Sequence, residues 1–184
     1  MPFIYNKEQS YHEIIVETID TIRYSSIITL LSRKTKPILI TGPSGTGKSI
    51  QLSRINHAPL VLTSTTSHYQ LQLSVESKLD KLRKNMLGAV NGTFCIVAID
   101  DTNMPAQEEY GAIPAVEVLR SIIDKKSIWD RKERFLKNIV NTSFVCACSP
   151  PGGGRNELTP RFTRHFNVMC LPEPSHTSLT RIYK

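Results

Sequence analysis

The chain has 184 residues, which is enough for one domain of ordinary size with a sizeable core. Hydrophobic residues make up 40% of it and charged residues 21%, a composition that is typical of globular proteins and excludes a disordered or fibrous chain. The formal net charge of +7 indicates an anionic partner, such as a nucleotide, a nucleic acid, an acidic protein or a membrane surface.

Targeting and membrane signals are missing from the sequence. No segment reaches the roughly 18 consecutive apolar residues of a membrane helix, and residues 1–8 lack the basic start and apolar run of a signal peptide. We therefore expect a cytoplasmic protein with no membrane partner. The cysteines form no C-x-x-C pair and are expected to be reduced thiols: Cys95, Cys146, Cys148 and Cys170.

Apolar residues predict alternating helices and strands in the first half of the chain. A helix is expected over 10–31, followed by a buried strand over 37–41 and a second strand over 59–63. Leucine spacing then predicts a helix over 69–86. The basic residues toward its end are Lys78, Lys81, Arg83 and Lys84.

The second half continues this alternation. A third strand over 94–99 is apolar throughout, as in a parallel sheet covered on both faces, and a helix is expected around 116–123. A fourth strand is expected over 144–148 and a fifth over 166–171, with a short helix capped by Thr159 between them. This order predicts an α/β domain with a five-stranded, mainly parallel sheet flanked by helices.

A glycine-rich motif lies between the first strand and the helix expected after it. It matches G-x-x-x-x-G-K-[ST], in which backbone N–H groups curl around phosphate oxygens and the helix points its positive end at them. Lys48 is expected to reach the outer phosphates, and the Ser49 hydroxyl to bind Mg²⁺. The expected nucleotide-binding residues are Gly42, Pro43, Ser44, Gly45, Thr46, Gly47, Lys48, Ser49 and Ile50.

Two carboxylates follow the third strand, at the sheet edge where ligands bind in open parallel sheets. Asp100 is suited to holding Mg²⁺, and Asp101 to orienting or deprotonating an attacking water. The alternative for each is that it caps the next loop. Aspartate at the second position is one methylene shorter than glutamate, so slow or absent hydrolysis stays open.

Further segments resemble those of a known protein family, which is named below. The most specific of them is the run from Pro150 to Asn156, Pro-Pro-Gly-Gly-Gly-Arg-Asn. The other segments are 16–24, 100–105, 109–112, 119–120, 129–132 and 159–167. Together they resemble the large α/β subdomain of the third AAA+ module of a dynein heavy chain, of the axonemal type. The resemblance covers nearly the whole chain.

The resemblance implies further site residues. Ser149 matches the sensor position that contacts the outermost phosphate, where many AAA+ proteins have asparagine. Arg164, with Arg161 as the alternative, matches the arginine finger, which serves the nucleotide of the neighbouring module. The alternative interpretation of each arginine is a surface ion pair or packing at the end of a strand. The stretch from Val16 to Asp20 matches the lining of the adenine pocket.

The resemblance also implies a division of the chain and a function. Residues 1–35 would lead into the module and its adenine pocket, 36–172 would form the P-loop core, and 173–184 would begin a helical lid that is otherwise missing. The implied function is Mg-ATP binding, with hydrolysis left open. In the parent protein it would serve minus-end-directed, microtubule-based motor activity and ciliary movement in the cytoskeleton of the axoneme. The implied partners are neighbouring AAA+ modules, dynein intermediate and light chains, and microtubules.

Two alternatives remain from the sequence. A nucleic-acid-remodelling AAA+ ATPase would explain the positive charge, but the basic cluster at 78–84 has no interleaved aromatic residues and no reader motif is present, so we expect no nucleic-acid partner. A stand-alone nucleotide-binding remnant without turnover would fit Asp101, Ser149 and the missing lid.

Overall fold

The computed structural model describes residues 15–55, 59–90 and 93–183. In chain order, the helices and strands of these residues are α1 (Ile19–Arg33), β1 (Ile38–Thr41), α2 (Lys48–Ile55), β2 (Leu60–Val61), α3 (His68–Ser77), β3 (Asp80–Arg83), β4 (Met86–Gly88), β5 (Cys95–Asp100), α4 (Pro114–Lys125), β6 (Ser127–Trp129), β7 (Leu136–Val140), β8 (Thr142–Cys148), α5 (Pro160–Thr163), β9 (Asn167–Cys170) and α6 (His176–Tyr183).

The main sheet has the strand order β2-β5-β8-β1-β9, and each neighbouring pair is parallel. The predicted α/β fold with a five-stranded parallel sheet is therefore confirmed. Within the sheet, Thr41 of β1 lies opposite Cys148 of β8, and Ile99 of β5 lies opposite Cys146. This register brings the carboxyl ends of β1, β5 and β8 to one edge.

Both faces of the main sheet are buried, because side chains alternate between two separate hydrophobic clusters. Leu39 of β1 joins the larger cluster, which includes residues of α3 and α4. Its neighbours Ile38 and Ile40 join the smaller cluster, with Ile28 of α1 and Leu52 of α2. The central strands β1, β5 and β8 are mostly apolar because their residues are buried or half-buried, whereas the edge strands β2 and β9 expose Val61 and Val168.

The first helix begins later than expected. Residues 10–14 of the predicted helix lie outside the described residues, and the next four precede α1. Thr18 caps this helix: its hydroxyl accepts a hydrogen bond from the Thr21 N–H, and the Thr21 hydroxyl accepts one from the Thr18 N–H. The capped start ties the helix to the stretch that the resemblance assigns to the adenine pocket.

The helix predicted over 69–86 is wrong beyond Ser77. Instead, β3 and β4 form a hairpin, and β4 pairs in parallel with β7. Gly88 has φ +157, and a side chain there would collide with the carbonyl oxygen of Val140 on β7. The leucine spacing fitted a helix, but the partner strand that decides the outcome lies some fifty residues further along the chain. The basic residues 81–84 therefore lie on a hairpin.

The strands β6 and β7 were not predicted, and they complete a second sheet of order β3-β4-β7-β6. This sheet is attached to α3, where the Gln72 side-chain amide donates to the backbone carbonyl of Trp129 at 2.8 Å. The Arg131 guanidinium lies over the Tyr69 ring, 5.0 Å from its centroid. A continuous run of five charged residues, 130–134, separates these short strands, so the sequence gave no sustained apolar pattern from which they could be recognised.

Three further expectations can be compared with the fold. Thr159 precedes α5 in extended conformation with Pro160 in the first turn, but its side chain makes no capping hydrogen bond. The four cysteines are free thiols, and burial raises the pKa of the Cys146 thiol above its usual range. Among the described residues, no helix has both the length and the apolar character needed to cross a membrane.

We expect Asp130→Asn to destabilise the second sheet in a pH-dependent manner. Asp130 pairs with Lys137 at 2.5 Å and accepts the N–H groups of Lys132 and Glu133, and these contacts lower its pKa from 3.8 to about 2. The carboxylate therefore stabilises the fold fully above pH 3.8, and this contribution is lost as the pH falls through about 2.

Thermal unfolding of the wild type and the variant, followed by circular dichroism, checks this. The difference in melting temperature should be largest near neutral pH and should vanish in strong acid. Asp80→Asn is the matched control, since Asp80 is an exposed aspartate of the same sheet without a salt bridge among the described residues. A difference that persists unchanged in acid would contradict the role of the carboxylate charge.

Candidate functional site

The phosphate-loop motif lies between β1 and α2, as predicted. Gly45 and Gly47 have φ values of +82 and +85, in the region that side chains disfavour, and no atom lies within 4 Å of where their side chains would begin. Gly42 is required for a different reason: a side chain there would collide with the carbonyl oxygen of Leu171. The glycines thus give the loop an open, strongly curved backbone.

Lys48 begins α2 and turns back onto the loop. Its ammonium donates to the carbonyl oxygens of Gly42 at 2.7 Å and Pro43 at 2.6 Å, and the side chain is buried. Burial holds the pKa of Lys48 below its usual value, while the negative charge of Asp100 opposes that shift. Next to it, Ser49 is exposed at the first turn of α2, where the helix dipole favours an anion.

The acidic pair lies at the same sheet edge. Asp100 ends β5 and is buried, and its Oδ1 accepts the N–H of Asp101 at 2.9 Å. Asp101 has φ +49, so the chain turns sharply after β5 and the carboxylates of Asp100 and Asp101 point in different directions. Asp100 lies close enough to Lys48 to act on its pKa. Both aspartates are therefore beside the phosphate loop.

Arg155 was not assigned a role from the sequence, yet it belongs to this edge. Its Nη2 lies 3.9 Å from Oδ1 of Asp101, the carboxylate expected to activate water. The positive charge of Arg155 also lowers the pKa of Lys48. The signal in the sequence was a run of three glycines directly before an arginine, which predicts a tight turn that presents one cation.

Ser149 follows β8 and is buried, and its carbonyl oxygen accepts the Asn103 side-chain amide at 2.8 Å. The same amide donates to the Asn156 carbonyl at 3.0 Å, and the Asn156 N–H donates to the Asn103 carbonyl at 2.9 Å. The Asn156 side chain then reaches the carbonyl of Pro105 at 2.7 Å. Two asparagines that the sequence analysis left unassigned therefore fasten the loop after β5 to the loop after β8.

A cavity of about 330 Å³ opens beside the phosphate loop. Three segments line it: the stretch from 15 to 24, the loop and first turn from 45 to 51, and the stretch from 172 to 183. The Ser178 hydroxyl donates to Asp20 at 3.0 Å and links the outer two segments. Among the predicted loop residues, those lining it are Gly45, Thr46, Gly47 and Ile50.

The stretch from Val16 to Asp20 contributes three residues to the cavity wall, where the resemblance placed the adenine pocket. Gln51 is buried beside it and holds α1 to α2, because its side chain accepts the Ser25 hydroxyl at 2.9 Å and donates to the Thr21 carbonyl at 3.3 Å. The segment from 172 to 183, whose residues from 173 onward the resemblance assigns to the beginning of the lid, contributes to the same wall.

The two finger candidates lie away from these contacts. Arg161 and Arg164 are exposed on α5 and at its end, and α5 packs against α4. The Arg164 Nε lies 3.4 Å from the His165 ring nitrogen, and His165 lies 3.8 Å from Asp124. Within the described part of the chain, neither arginine forms an ion pair or hydrogen bond with the phosphate loop or the acidic pair.

The residues of the site fit a magnesium-bound nucleotide. The curved loop offers backbone N–H groups and one lysine to phosphate, and a cavity adjoins it. The Ser49 hydroxyl and the Asp100 carboxylate are oxygen ligands, which Mg²⁺ prefers while it keeps several waters. In the described ranges no group of three or more His, Cys, Asp and Glu residues could hold a metal ion.

The family comparison agrees with this geometry. The family described as the P-loop containing dynein motor region matches residues 3–174. The chain belongs to this family. It is a P-loop AAA+ module of the dynein motor type, which implies nucleotide binding.

Relatives from this family are similar along nearly the whole chain. Dynein axonemal heavy chain 6 of Homo sapiens is 40% identical over 99% of it, and dynein axonemal heavy chain 1 of Mus musculus is 43% identical over 99%. Dynein axonemal heavy chain 12 of Mus musculus is 38% identical over 97%. The chain spans 5%, 4% and 6% of the length of these three relatives. A nucleic-acid-remodelling ATPase is therefore not favoured.

We expect Gly47→Ala to lower the free energy of unfolding by about 1–2 kcal/mol, because a side chain makes positive φ costly even where space is free. Urea denaturation checks this. Ser44→Ala in the same exposed loop is the control and should change the free energy by less than about 0.5 kcal/mol. Equal stability of Gly47→Ala and the wild type would show that the loop does not require its observed curvature.

Proposed function

We propose that this chain binds ATP with Mg²⁺ as the third AAA+ module of an axonemal-type dynein heavy chain. The observation that carries the proposal is the phosphate loop itself, in which two glycines at positive φ and the buried Lys48 adjoin the cavity of about 330 Å³. The adenosine part would lie in the cavity, and the phosphates would lie along the loop from 42 to 49.

Lys48 would change its partners when phosphate binds. In the structure its ammonium is bound to two carbonyl oxygens of the loop, so the positive charge is already held inside the curve of the backbone. Phosphate oxygens are stronger acceptors for an ammonium than neutral carbonyls because they carry charge. The desolvation that lowers the pKa of Lys48 would be offset by the same interaction.

Ser49 and Asp100 would hold Mg²⁺, whose contribution when bound is to neutralise charge on the outer phosphates. Asp101 would accept a proton from the attacking water, and the Ser149 hydroxyl would donate to the outermost phosphate. In the structure, however, the Asp101 carboxylate lies beside Arg155. A carboxylate that faces a cation in this way is not free to contact an attacking water, so this pairing favours nucleotide binding with slow turnover.

In the parent heavy chain, Arg164, or Arg161 in its place, would reach the nucleotide of the neighbouring module. Their exposure on α5, away from the phosphate loop of this chain, supports a role between modules. We further propose that the division at 35 and 172 separates the entry segment and the beginning of the lid from the core. The names of the relatives support a cytoskeletal location in the axoneme. For the parent heavy chain we further propose, from the family resemblance, partnership with other ring modules, with intermediate and light chains and with microtubules, and minus-end-directed movement.

The proposed function is tested by Lys48→Ala. Removing the ammonium should weaken the binding of a fluorescent ATP analogue by about a hundredfold, because a charge-assisted contact to phosphate is lost. Lys81→Ala, at an exposed position of the second sheet, is the matched control and should leave the affinity unchanged. Equal affinity of Lys48→Ala and the wild type would contradict the assignment of the phosphate loop.

The finger assignment gives a separate prediction. Arg164→Ala and Arg161→Ala should leave the affinity of this chain for nucleotide within about twofold of the wild type, because among the described residues neither side chain forms an ion pair or hydrogen bond with the phosphate loop. Isothermal titration of the full chain with Mg-ATP measures this. A tenfold loss of affinity in either variant would place that arginine in this chain's own site.

A further inference from the structure

We propose that Arg155 is a second cation of the nucleotide site, which pairs with Asp101 in the nucleotide-free chain and moves to the outermost phosphate of a bound triphosphate. The inference rests on the proposed function and deepens it. It assigns to Arg155 the discrimination between a nucleoside triphosphate and a diphosphate, and it makes the freeing of Asp101 depend on which nucleotide is bound.

The backbone holds Arg155 in position by a tight turn. The N–H of Gly152 donates to the Arg155 carbonyl at 3.0 Å, and the Arg155 N–H donates back at 3.1 Å. All three glycines before Arg155 have positive φ, with values of +122, +58 and +84. Glycine adopts positive φ at little steric cost. The run Gly-Gly-Gly-Arg therefore allows the tight turn that places the Arg155 side chain beside Asp101.

Asn156, the residue after Arg155, holds this turn against the loop that carries Asp101. Asn156 is bound through its backbone to Asn103 at 2.9 Å and through its side chain to Pro105 at 2.7 Å. Asn103 also binds the carbonyl of Ser149. Arg155 is therefore held by the same hydrogen-bond network that joins the end of β8 to the loop carrying Asp101.

The contacts of Arg155 would allow an incoming phosphate to compete with Asp101 for its guanidinium. Its Nη2 is 3.9 Å from Asp101, a separation longer than a hydrogen bond, and its buried Nε has no hydrogen-bond partner among the described residues. Arg155 also acts on Lys48, whose pKa it lowers. An arginine with an unsatisfied donor next to the phosphate-binding lysine would gain a charged acceptor when the outermost phosphate enters.

The exchange changes the partner of Asp101 without a covalent step. A phosphate oxygen that accepts from the guanidinium leaves the Asp101 carboxylate without its cation. A diphosphate, which lacks the outermost group, would leave the pair intact. Asp101 would therefore stay paired with Arg155 until a triphosphate is present.

The test compares Arg155→Gln with the wild-type full chain by titration with Mg-ADP and with a non-hydrolysable Mg-ATP analogue. We expect the affinity for the triphosphate analogue to fall about tenfold, since one charge-assisted contact is lost, and the affinity for ADP to stay within about twofold. Arg155→Lys should restore part of the difference. Arg83→Gln, at an exposed position of the second sheet, is the matched control and should change neither affinity.

The Asp101→Asn variant separates this role from a purely structural one. Removing the competing carboxylate should raise the affinity for the triphosphate analogue, and the rise should be lost when Asp101→Asn is combined with Arg155→Gln. A loop-stabilising role alone would give additive effects and an unchanged ratio of the two affinities. If Arg155→Gln does not fold, Asp101→Asn alone decides: an unchanged triphosphate affinity overturns the proposal.

Failure of the inference can be told apart from failure of the proposed function. A wild-type chain that binds neither nucleotide overturns both. A chain that binds ADP through Lys48 but keeps the same preference for triphosphate in Arg155→Gln overturns only the assignment of Arg155.

Discussion

The parallel pairing of β8 with β1 on one side and with β5 on the other is the constraint on which the site depends. Because Thr41 lies opposite Cys148 and Ile99 opposite Cys146, three segments leave the sheet at the same edge. These segments are the phosphate loop, the acidic pair and the loop that begins at Ser149. A shift of one residue in either pairing would turn the side chains to the other face and separate the groups that bind one ligand.

Backbone hydrogen bonds alone do not place the loops beyond the strands. Asn103 and Asn156 do so, since each binds the other's segment and Asn103 also holds the end of β8. Asparagine suits this task because one amide can satisfy several carbonyls that would otherwise lack partners. Arg155 owes its position beside Asp101 to this network, so the charge balance of the site follows from the packing of two loops.

The agreement between sequence and structure was uneven for physical reasons. The central strands of the main sheet were predicted because they are buried on both faces and therefore mostly apolar. The phosphate loop was predicted because the positive φ of its glycines is a local backbone requirement. The second sheet was missed. Its strands are short and partly exposed, and β4 finds its partner only in β7, so leucines at 79 and 82 were consistent with a helix until that pairing was known.

The sequence by itself determined the fold class, the phosphate loop and the position of Asp100 at the end of a strand, because these depend on local pattern and on residues close together in the chain. Tertiary structure decided which distant residues share the site. The cavity wall formed by 172–183, the network of Asn103 and Asn156, and the pairing of Arg155 with Asp101 join segments some fifty to one hundred and fifty residues apart. Such contacts depend on sheet register and loop packing, which leave no periodic signal in the chain.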